Sequence, residues 1–328
     1  MMNSRFLIIH PGGIGDVLLA LPAIRSLRRR YGVESGALVA TRPIGEFLVL
    51  CQEIGRAFPI EARALSDVCG GTIQPESVLD EWLRTCGLAI AWMSDHDGQL
   101  STTLSDRGVG QIIIGSPLTD PLRSIHQSDR ILETLSALNL DPPSEQPLNI
   151  PEAAIIAGRK ALNRAGVSGN HAYVVVHPGS GSVHKCCEPT LMADAIGWSY
   201  GKGLVPVLIG GPADHDSIGR VQARCPRIAP IITDAELTVI AGILKEAVLF
   251  IGHDSGMTHL SAALDVPSVA CFGPTDEQRW SPRGTNVTVV KGKPCHCLTW
   301  DAVQRCSEKP CLTIPVCELI SVCEARIA

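Results

Sequence analysis

Short, continuously apolar runs that break into a glycine turn and then a helical pattern restrict this chain more than any other feature. Phe6 to His10 leads into His10-Pro11-Gly12-Gly13-Ile14-Gly15-Asp16 and a helix from Asp16 to Tyr31. Tyr173 to His177 leads, in the equivalent position, into His177-Pro178-Gly179-Ser180-Gly181-Ser182-Val183-His184-Lys185 and a helix to Tyr200. Such runs suit parallel strands covered by helices on both faces. Further apolar runs read as strands at Ala37 to Ala40, Leu88 to Met93, Gln111 to Ile114, Val205 to Ile209, Val248 to Ile251 and Ser268 to Phe272. Helical spacing falls from about Ile125 to Leu138, Glu152 to Ala165 and Met257 to Leu264. Between the halves, Asp141 to Pro151 holds four prolines and little apolar periodicity, which marks a linker. The expected fold is α/β: two Rossmann-like, doubly wound domains facing across a cleft, bounded at 1–145 and 151–312, with a closing helix at 313–328.

Size and composition agree with that reading. At 328 residues the chain exceeds one average core, and apolar residues at 45% with only 4% aromatics favour helix-covered sheets over a β-sandwich. A net charge of −5 argues against a nucleic-acid partner. The one basic cluster, Arg25, Arg28, Arg29 and Arg30, reads as a solvated helix end favoured by the helix dipole, with contact to an anionic inner-membrane surface or an acidic acceptor the alternative. No apolar run approaches a membrane span, and the opening residues read as the first strand of a cytoplasmic protein. Of thirteen cysteines, seven are scattered before residue 272 and read as small apolar residues. Six crowd the tail: Cys295, Cys297, Cys306, Cys311, Cys317 and Cys323. The run C-x-C-x8-C-x4-C has room for zinc but lacks paired C-x2-C knuckles, so reduced thiols are the preferred reading and no metal is expected.

Three turns carry candidate chemistry. Asp254-Ser255-Gly256 opens a helix after a buried strand, where unpaired N–H groups and the helix dipole favour phosphate. Met257, Thr258 and His259 follow in that helix, and Phe272-Gly273-Pro274-Thr275 is a second glycine turn at the end of the next strand. In the turn after His177, the Ser180 hydroxyl, the Gly181 backbone and the Lys185 charge are suited to phosphate oxygens. The first turn, with Gly12, Gly13, Gly15 and Asp16, allows close backbone approach, but it is no dinucleotide fingerprint: Leu18 stands at the third glycine position and Thr41-Arg42 follows the second strand. Asp95-His96-Asp97 has the form of a D-x-D pair and reads as an acceptor-facing or solvated loop. Asp214 is well placed as a helix cap.

Together these segments resemble the ADP-heptose-dependent heptosyltransferases of lipopolysaccharide synthesis, glycosyltransferase family nine. The likeness rests on HPGGIGDVLLALPAIRSLRRRYG, VVVHPGSGSVHK, VLIGGPAD and FIGHDSGMTHLSAALDVPSVACFGPTDEQRWSP. It departs at Lys185-Cys186-Cys187-Glu188-Pro189, where members often carry Trp-Pro, and at Glu277, where proline is common. The resemblance implies the GT-B arrangement, a first domain facing the acceptor and a second holding the nucleotide sugar. It further implies inversion at the anomeric carbon with no metal or other cofactor, Asp16 as base, Lys185 in the donor site, and a donor phosphate turn at Asp254, Ser255, Gly256, Met257, Thr258 and His259. Its partners would be ADP-heptose and a glycan or lipid-linked acceptor. Gly12, Gly13, Gly15, Asp95 and Asp97 are the acceptor-side candidates. The alternatives are a GT-B transferase with another donor, or a non-catalytic binder of nucleotide sugars.

Overall fold

A computed structural model describes residues 5–115, 124–143, 146–167 and 171–327. Ala328, the last residue of the expected closing helix, lies outside them. The chain divides into two compact units after Asn149.

The first unit runs β1 (Arg5–Ile9), α1 (Ile14–Leu19), α2 (Leu21–Tyr31), β2 (Gly36–Ala40), α3 (Arg42–Leu50), β3 (Arg56–Pro59), α4 (Ala64–Gly70), α5 (Val78–Arg84), β4 (Cys86–Ala91), α6 (Gln99–Asp106), β5 (Gln111–Ile114) and α7 (Gln127–Glu133). Its five strands are parallel in the order β3-β2-β1-β4-β5. Every residue of β2, and every residue of β1 after Arg5, is buried, as helices on both faces demand. One face packs Leu7, Ile9, Val39, Ala89 and Ala91 against Trp82, Leu83, Leu100 and Leu104. The single helix expected from Asp16 to Tyr31 is two: it starts at Ile14 and is interrupted at Ala20, just before Pro22, which has no N–H to continue the ladder.

The arginine cluster is a solvated helix end only in part: Arg29 and Arg30 are exposed in the last turn of α2, but Arg25 is not. Arg25 is buried and donates to Glu53 at 2.7 Å and to the Gln146 carbonyl, and Arg28 reaches Glu53 at 2.6 Å. Arg29 donates to the Pro142 carbonyl at 2.7 Å and Arg30 to the Leu138 carbonyl at 2.6 Å. The guanidinium fork thus ties α2 to the stretch that reads as a linker, and Leu148 and Ile150 there are buried as well. Among the described residues, no helix is long and apolar enough to cross a membrane.

The second unit runs α8 (Glu152–Arg164), β6 (Tyr173–His177), α9 (Pro189–Gly201), β7 (Val205–Gly210), α10 (His215–Gln222), β8 (Ile231–Thr233), α11 (Leu237–Lys245), β9 (Leu249–His253), α12 (Gly256–Ala263), β10 (Ser268–Phe272), α13 (Glu277–Trp280), β11 (Val287–Lys291), α14 (Trp300–Arg305) and α15 (Val316–Ile327). Its six parallel strands lie in the order β11-β10-β9-β6-β7-β8, the doubly wound Rossmann order. Helices α8 and α11 meet at Gly158 and Gly242, where an added Cβ would fall 2.6 Å and 2.0 Å from the opposing backbone. Helix α15 packs on α9, β9 and β10, and buries Leu319 and Cys323 in the core of this unit.

Candidate active site

In a doubly wound sheet, ligands lie outside the carboxyl ends of the two strands where the order reverses, because their loops diverge there. That place falls between β1 and β4 in the first unit and between β6 and β9 in the second. The turns after His10, His177 and His253 all start at these points.

In the second unit, Ser255 is the extended N-cap of α12, and its hydroxyl lies 3.2 Å from that of Thr258. Thr258 in turn donates to the His253 carbonyl, so the helix start is fixed from within. The amides of Gly256 and Met257 open the helix and have no intrahelical acceptor. These two residues are the partly exposed ones in the otherwise buried stretch from Ile251 to Leu260. A small window of outward N–H groups at the positive end of a helix is suited to an oxyanion. His259 is buried one turn into the same helix.

Lys185 reaches this window from a short turn at Val183–Lys185, capped by Ser182, whose hydroxyl accepts the His184 amide at 3.3 Å. Its ammonium donates to Asp254 Oδ2 at 2.7 Å, and Ser180 Oγ donates to the Asp254 carbonyl at 2.6 Å. The Asp254 carboxylate is buried, where an unpaired charge would be costly, so the lysine neutralises it. The Asp254 side chain is thus taken up by Lys185, and its amide donates to the Cys271 carbonyl at 3.2 Å. An ammonium has three protons, which leaves two for a bound phosphate. Gly181 has open space around its Cα.

Behind the window stands a chain that the sequence shows only as parts of turns. His177 Nε2 lies 3.3 Å from Asp214 Oδ2, and His177 Nδ1 lies 3.2 Å from Ser255 Oγ. Asp214 also accepts the Gly211 amide at 2.8 Å. Burial pushes the Asp214 carboxyl up, but the His177 bond and charge and the Gly211 amide outweigh it and hold the pKa below the ordinary value. When the ring is neutral and Nε2 donates to Asp214, Nδ1 is left to accept from Ser255. The one signal in the sequence was the repeated His-Pro-Gly; its partners lie 37 and 78 residues away. Nearby, His253 Nε2 accepts the Cys187 amide at 3.0 Å and locks the segment after Lys185 onto β9.

In the first unit, Asp16 is the third residue of α1, and its Oδ2 accepts the amide of the N-cap, Gly13, at 2.9 Å. Its Oδ1 has no hydrogen-bond partner among the described residues, and the side chain is half-buried. An added Cβ at Gly12 would fall 2.7 Å from Asp16 Cβ and 2.8 Å from His10 Cε1, so glycine lets the carboxylate lie flat on the turn. Gly15 is the second residue of α1. His10 Nδ1 accepts the Gly12 amide at 3.2 Å. Burial lowers the His10 pKa, with the Asp16 charge opposing, and the neutral ring is the form that can accept that N–H.

Asp95 and Asp97 serve α6. Asp95 accepts the Leu100 and Ser101 amides, each at 3.0 Å, and the Ser101 hydroxyl at 2.5 Å; Asp97 accepts the Gln99 amide at 3.2 Å. Burial raises the Asp95 pKa, but these bonds outweigh it and keep the carboxyl ionised below the usual range. Among the described residues, neither belongs to a group of three metal-type ligands.

Comparison with known proteins agrees with this architecture. Residues 126–311 match glycosyltransferase family 9 (heptosyltransferase). The chain is 35% identical over 293 residues to lipopolysaccharide heptosyltransferase 1 of Pseudomonas aeruginosa, covering 83% of this chain and 79% of that one. It is 28% identical over 172 residues to lipopolysaccharide heptosyltransferase 3 of Escherichia coli, spanning 51% of this chain and only 50% of that relative's length. A solved family 9 glycosyltransferase from Veillonella parvula superposes with a TM-score of 0.81 at 16% identity, over 100% of this chain and 98% of the other, which speaks for the fold. The chain belongs to glycosyltransferase family 9, the heptosyltransferase family.

Proposed function

We propose that this chain is an inverting glycosyltransferase that moves heptose from ADP-heptose to a lipopolysaccharide-core acceptor. The observation that carries the reading is the α12 start: outward amides of Gly256 and Met257 beside the Lys185 ammonium, at the strand-order reversal of a Rossmann sheet. Family membership and the names of the relatives supply heptose as the sugar.

In this mechanism the acceptor hydroxyl attacks the anomeric carbon on the face opposite the ADP leaving group, so one C–O bond forms as the other breaks and the configuration inverts. Two charges must be managed. Negative charge grows on the departing diphosphate, and the α12 amides and Lys185 meet it with dipoles and charge already in place, which needs no metal. The hydroxyl proton passes to Asp16, late in the step, when bond formation has made the hydroxyl acidic enough for a carboxylate to take it. Asp254, His177 and Asp214 keep Lys185 and Ser255 in position. Gly12 and Gly13 hold Asp16. The domain roles follow: residues 1–145 face the acceptor and 151–312 the donor, at the cytoplasmic face of the inner membrane, where a lipid-linked acceptor is available.

The test is incubation of the purified chain with ADP-heptose and core acceptor, with ADP release followed and the product's anomeric configuration read by NMR. The reading expects ADP release that depends on the acceptor and a product inverted at the heptose anomeric carbon. Acceptor-independent hydrolysis alone, retention, or preference for a UDP- or GDP-sugar would overturn it.

A further inference from the structure

The stretch from Leu298 to Arg305, between β11 and the buried turn at Pro310–Leu312, has little to hold it together by packing. Leu298 is 96% exposed and Trp300 45%, and the six-residue α14 buries only Val303. A helix of that length is far below what is stable alone in water. Four sulfurs converge here. Cys295 and Cys297 lie on the loop after β11, Cys306 caps the end of α14, and Cys311 sits in the short turn Pro310–Leu312. The sulfurs of Cys295, Cys297 and Cys306 all lie within 4.8 Å of one another, with Cys295 and Cys297 3.0 Å apart. Cys295 also contacts the thiols of Cys306 and Cys311. The Lys309 amide points at Cys306 Sγ at 3.4 Å, the kind of outer-shell N–H bond that orients a thiolate ligand.

We propose that Cys295, Cys297, Cys306 and Cys311 form a closed tetrathiolate site for one thiophilic divalent ion, zinc or ferrous iron. A tetrahedral ion with bonds of about 2.3 Å places its sulfurs about 3.8 Å apart, and the sulfurs of Cys295, Cys297 and Cys306, all within 4.8 Å of one another with the shortest pair at 3.0 Å, already lie close to that spacing. Four sulfur ligands in tetrahedral array select zinc or iron over the hard cations. Binding converts four thiols to thiolates and releases four protons, with no change of oxidation state. His296 is exposed and takes no part, and Cys323 is buried in the core on α15. This departs from the expectation of reduced thiols: C-x-C lacks the usual knuckle spacing, but the fold brings the Cys306 sulfur to the same point and Cys311 beside Cys295.

With all four positions filled by protein, the ion has no open position for substrate, and its role is to cross-link. What it cross-links is specific. The Gly292 amide donates to the Cys311 carbonyl at 2.9 Å, and the next residue, Leu312, fills the place a Cβ at Gly273 would take, 2.3 Å from it. The ion thereby pins the tail onto the Phe272-Gly273-Pro274-Thr275 turn at the carboxyl end of β10.

The experiment is metal analysis by mass spectrometry on the full chain, purified without chelators from cells supplied with zinc and iron, beside the double variant Cys295→Ser/Cys306→Ser and the exposed-site variant Cys317→Ser. The expected result is about one zinc or iron per chain in the wild type and in Cys317→Ser, and at least a tenfold lower content in the double variant. To separate loss of the site from misfolding of the double variant, wild type stripped by chelator is also titrated with cobalt(II) under reducing conditions. Sulfur-to-cobalt charge-transfer and tetrahedral ligand-field bands saturating at one equivalent support the site. Substoichiometric metal with no cobalt bands, a Cys295–Cys297 disulfide in the metal-free protein, or full metal content in the double variant would overturn it.

Discussion

The two His-Pro-Gly turns occupy the same place in their sheets, each after the first strand at the strand-order reversal, yet they use their aspartates differently. At His10-Pro11-Gly12 the aspartate comes from the same turn, four residues after the glycine. It has one backbone amide on one oxygen and leaves the other unbonded among the described residues. At His177-Pro178-Gly179 the aspartate comes from the next strand's loop: Asp214 packs so close that an added Cβ on Gly179 would sit 1.8 Å from its Oδ1, and its carboxylate is tied to His177 and Gly211. The nearby Asp254 is tied to Lys185. Carboxylates around the second turn are therefore bound by its own groups, whereas that of the first keeps one oxygen unbonded among the described residues. In the proposed mechanism the same tripeptide supports an anion cradle in one unit and a base in the other.

The largest effect that sharpens this contrast is expected at Asp16. Asp16→Asn keeps an oxygen for the Gly13 amide but removes the base, and kcat should fall by about 10³-fold, within the usual range for a general base, with ADP release as the readout. Residual transfer within tenfold of wild type would remove Asp16 from the mechanism. Lys185→Ala comes next: it removes a charge from the leaving-group site and also leaves Asp254 buried without its partner. Loss of about 10²-fold in kcat, with a raised donor KM, follows from deletion of one such donor. Gly179→Ala should cost about 2 kcal/mol or more of unfolding free energy, read by chemical denaturation, because Asp214 must leave its site and break a buried network. An unchanged midpoint would mean that Asp214 is not held as described.

The smallest effect concerns pH, and it separates the units. His10 has a pKa in the folded state below its ordinary value, so its contribution to stability is complete above about pH 6.5 and is lost as the pH falls below that, with a slope of at most about 1.4 kcal/mol per pH unit. Asp214 is also depressed, but from an ordinary value near 4, so its contribution persists to about pH 4 and is lost only as the pH falls through the still lower folded value. Hydrogen exchange between pH 7 and pH 5 should show β1 amides losing protection while β6 amides keep it, and His10→Asn should abolish the difference. Equal loss in both strands would contradict the assignment of His10.

Much of this was legible from local pattern. Strands such as β6 and β9 are apolar along nearly their whole length because both faces are covered, and their glycine turns stand out against them. The short strands β3, β8 and β11 escaped notice: Arg56–Pro59 ends in proline, Ile231–Thr233 is three residues long, and Val287–Lys291 is only half-buried at a sheet edge. Arg25 misleads because a basic helix end usually meets solvent, and only tertiary structure brings Glu53 and the Gln146 carbonyl to it. Asp95 and Asp97 read as an acceptor-facing or solvated loop because local pattern does not reveal that α6 begins beside them and takes up their oxygens. The His177 network depends on contacts between distant segments, which no window of sequence contains, whereas the tail cysteines stand in one short run whose folding, and not whose spacing, brings the sulfurs together.

The division of labour between the two turns is tested most directly by calorimetric titration of ADP into wild type, Asp16→Asn and Lys185→Ala at one pH and salt concentration. The account expects Asp16→Asn to bind ADP within about twofold of wild type, since the base does not hold the nucleotide, and Lys185→Ala to bind at least about tenfold more weakly, the equivalent of one lost charge contact. Loss of ADP affinity in Asp16→Asn with full affinity in Lys185→Ala would contradict it.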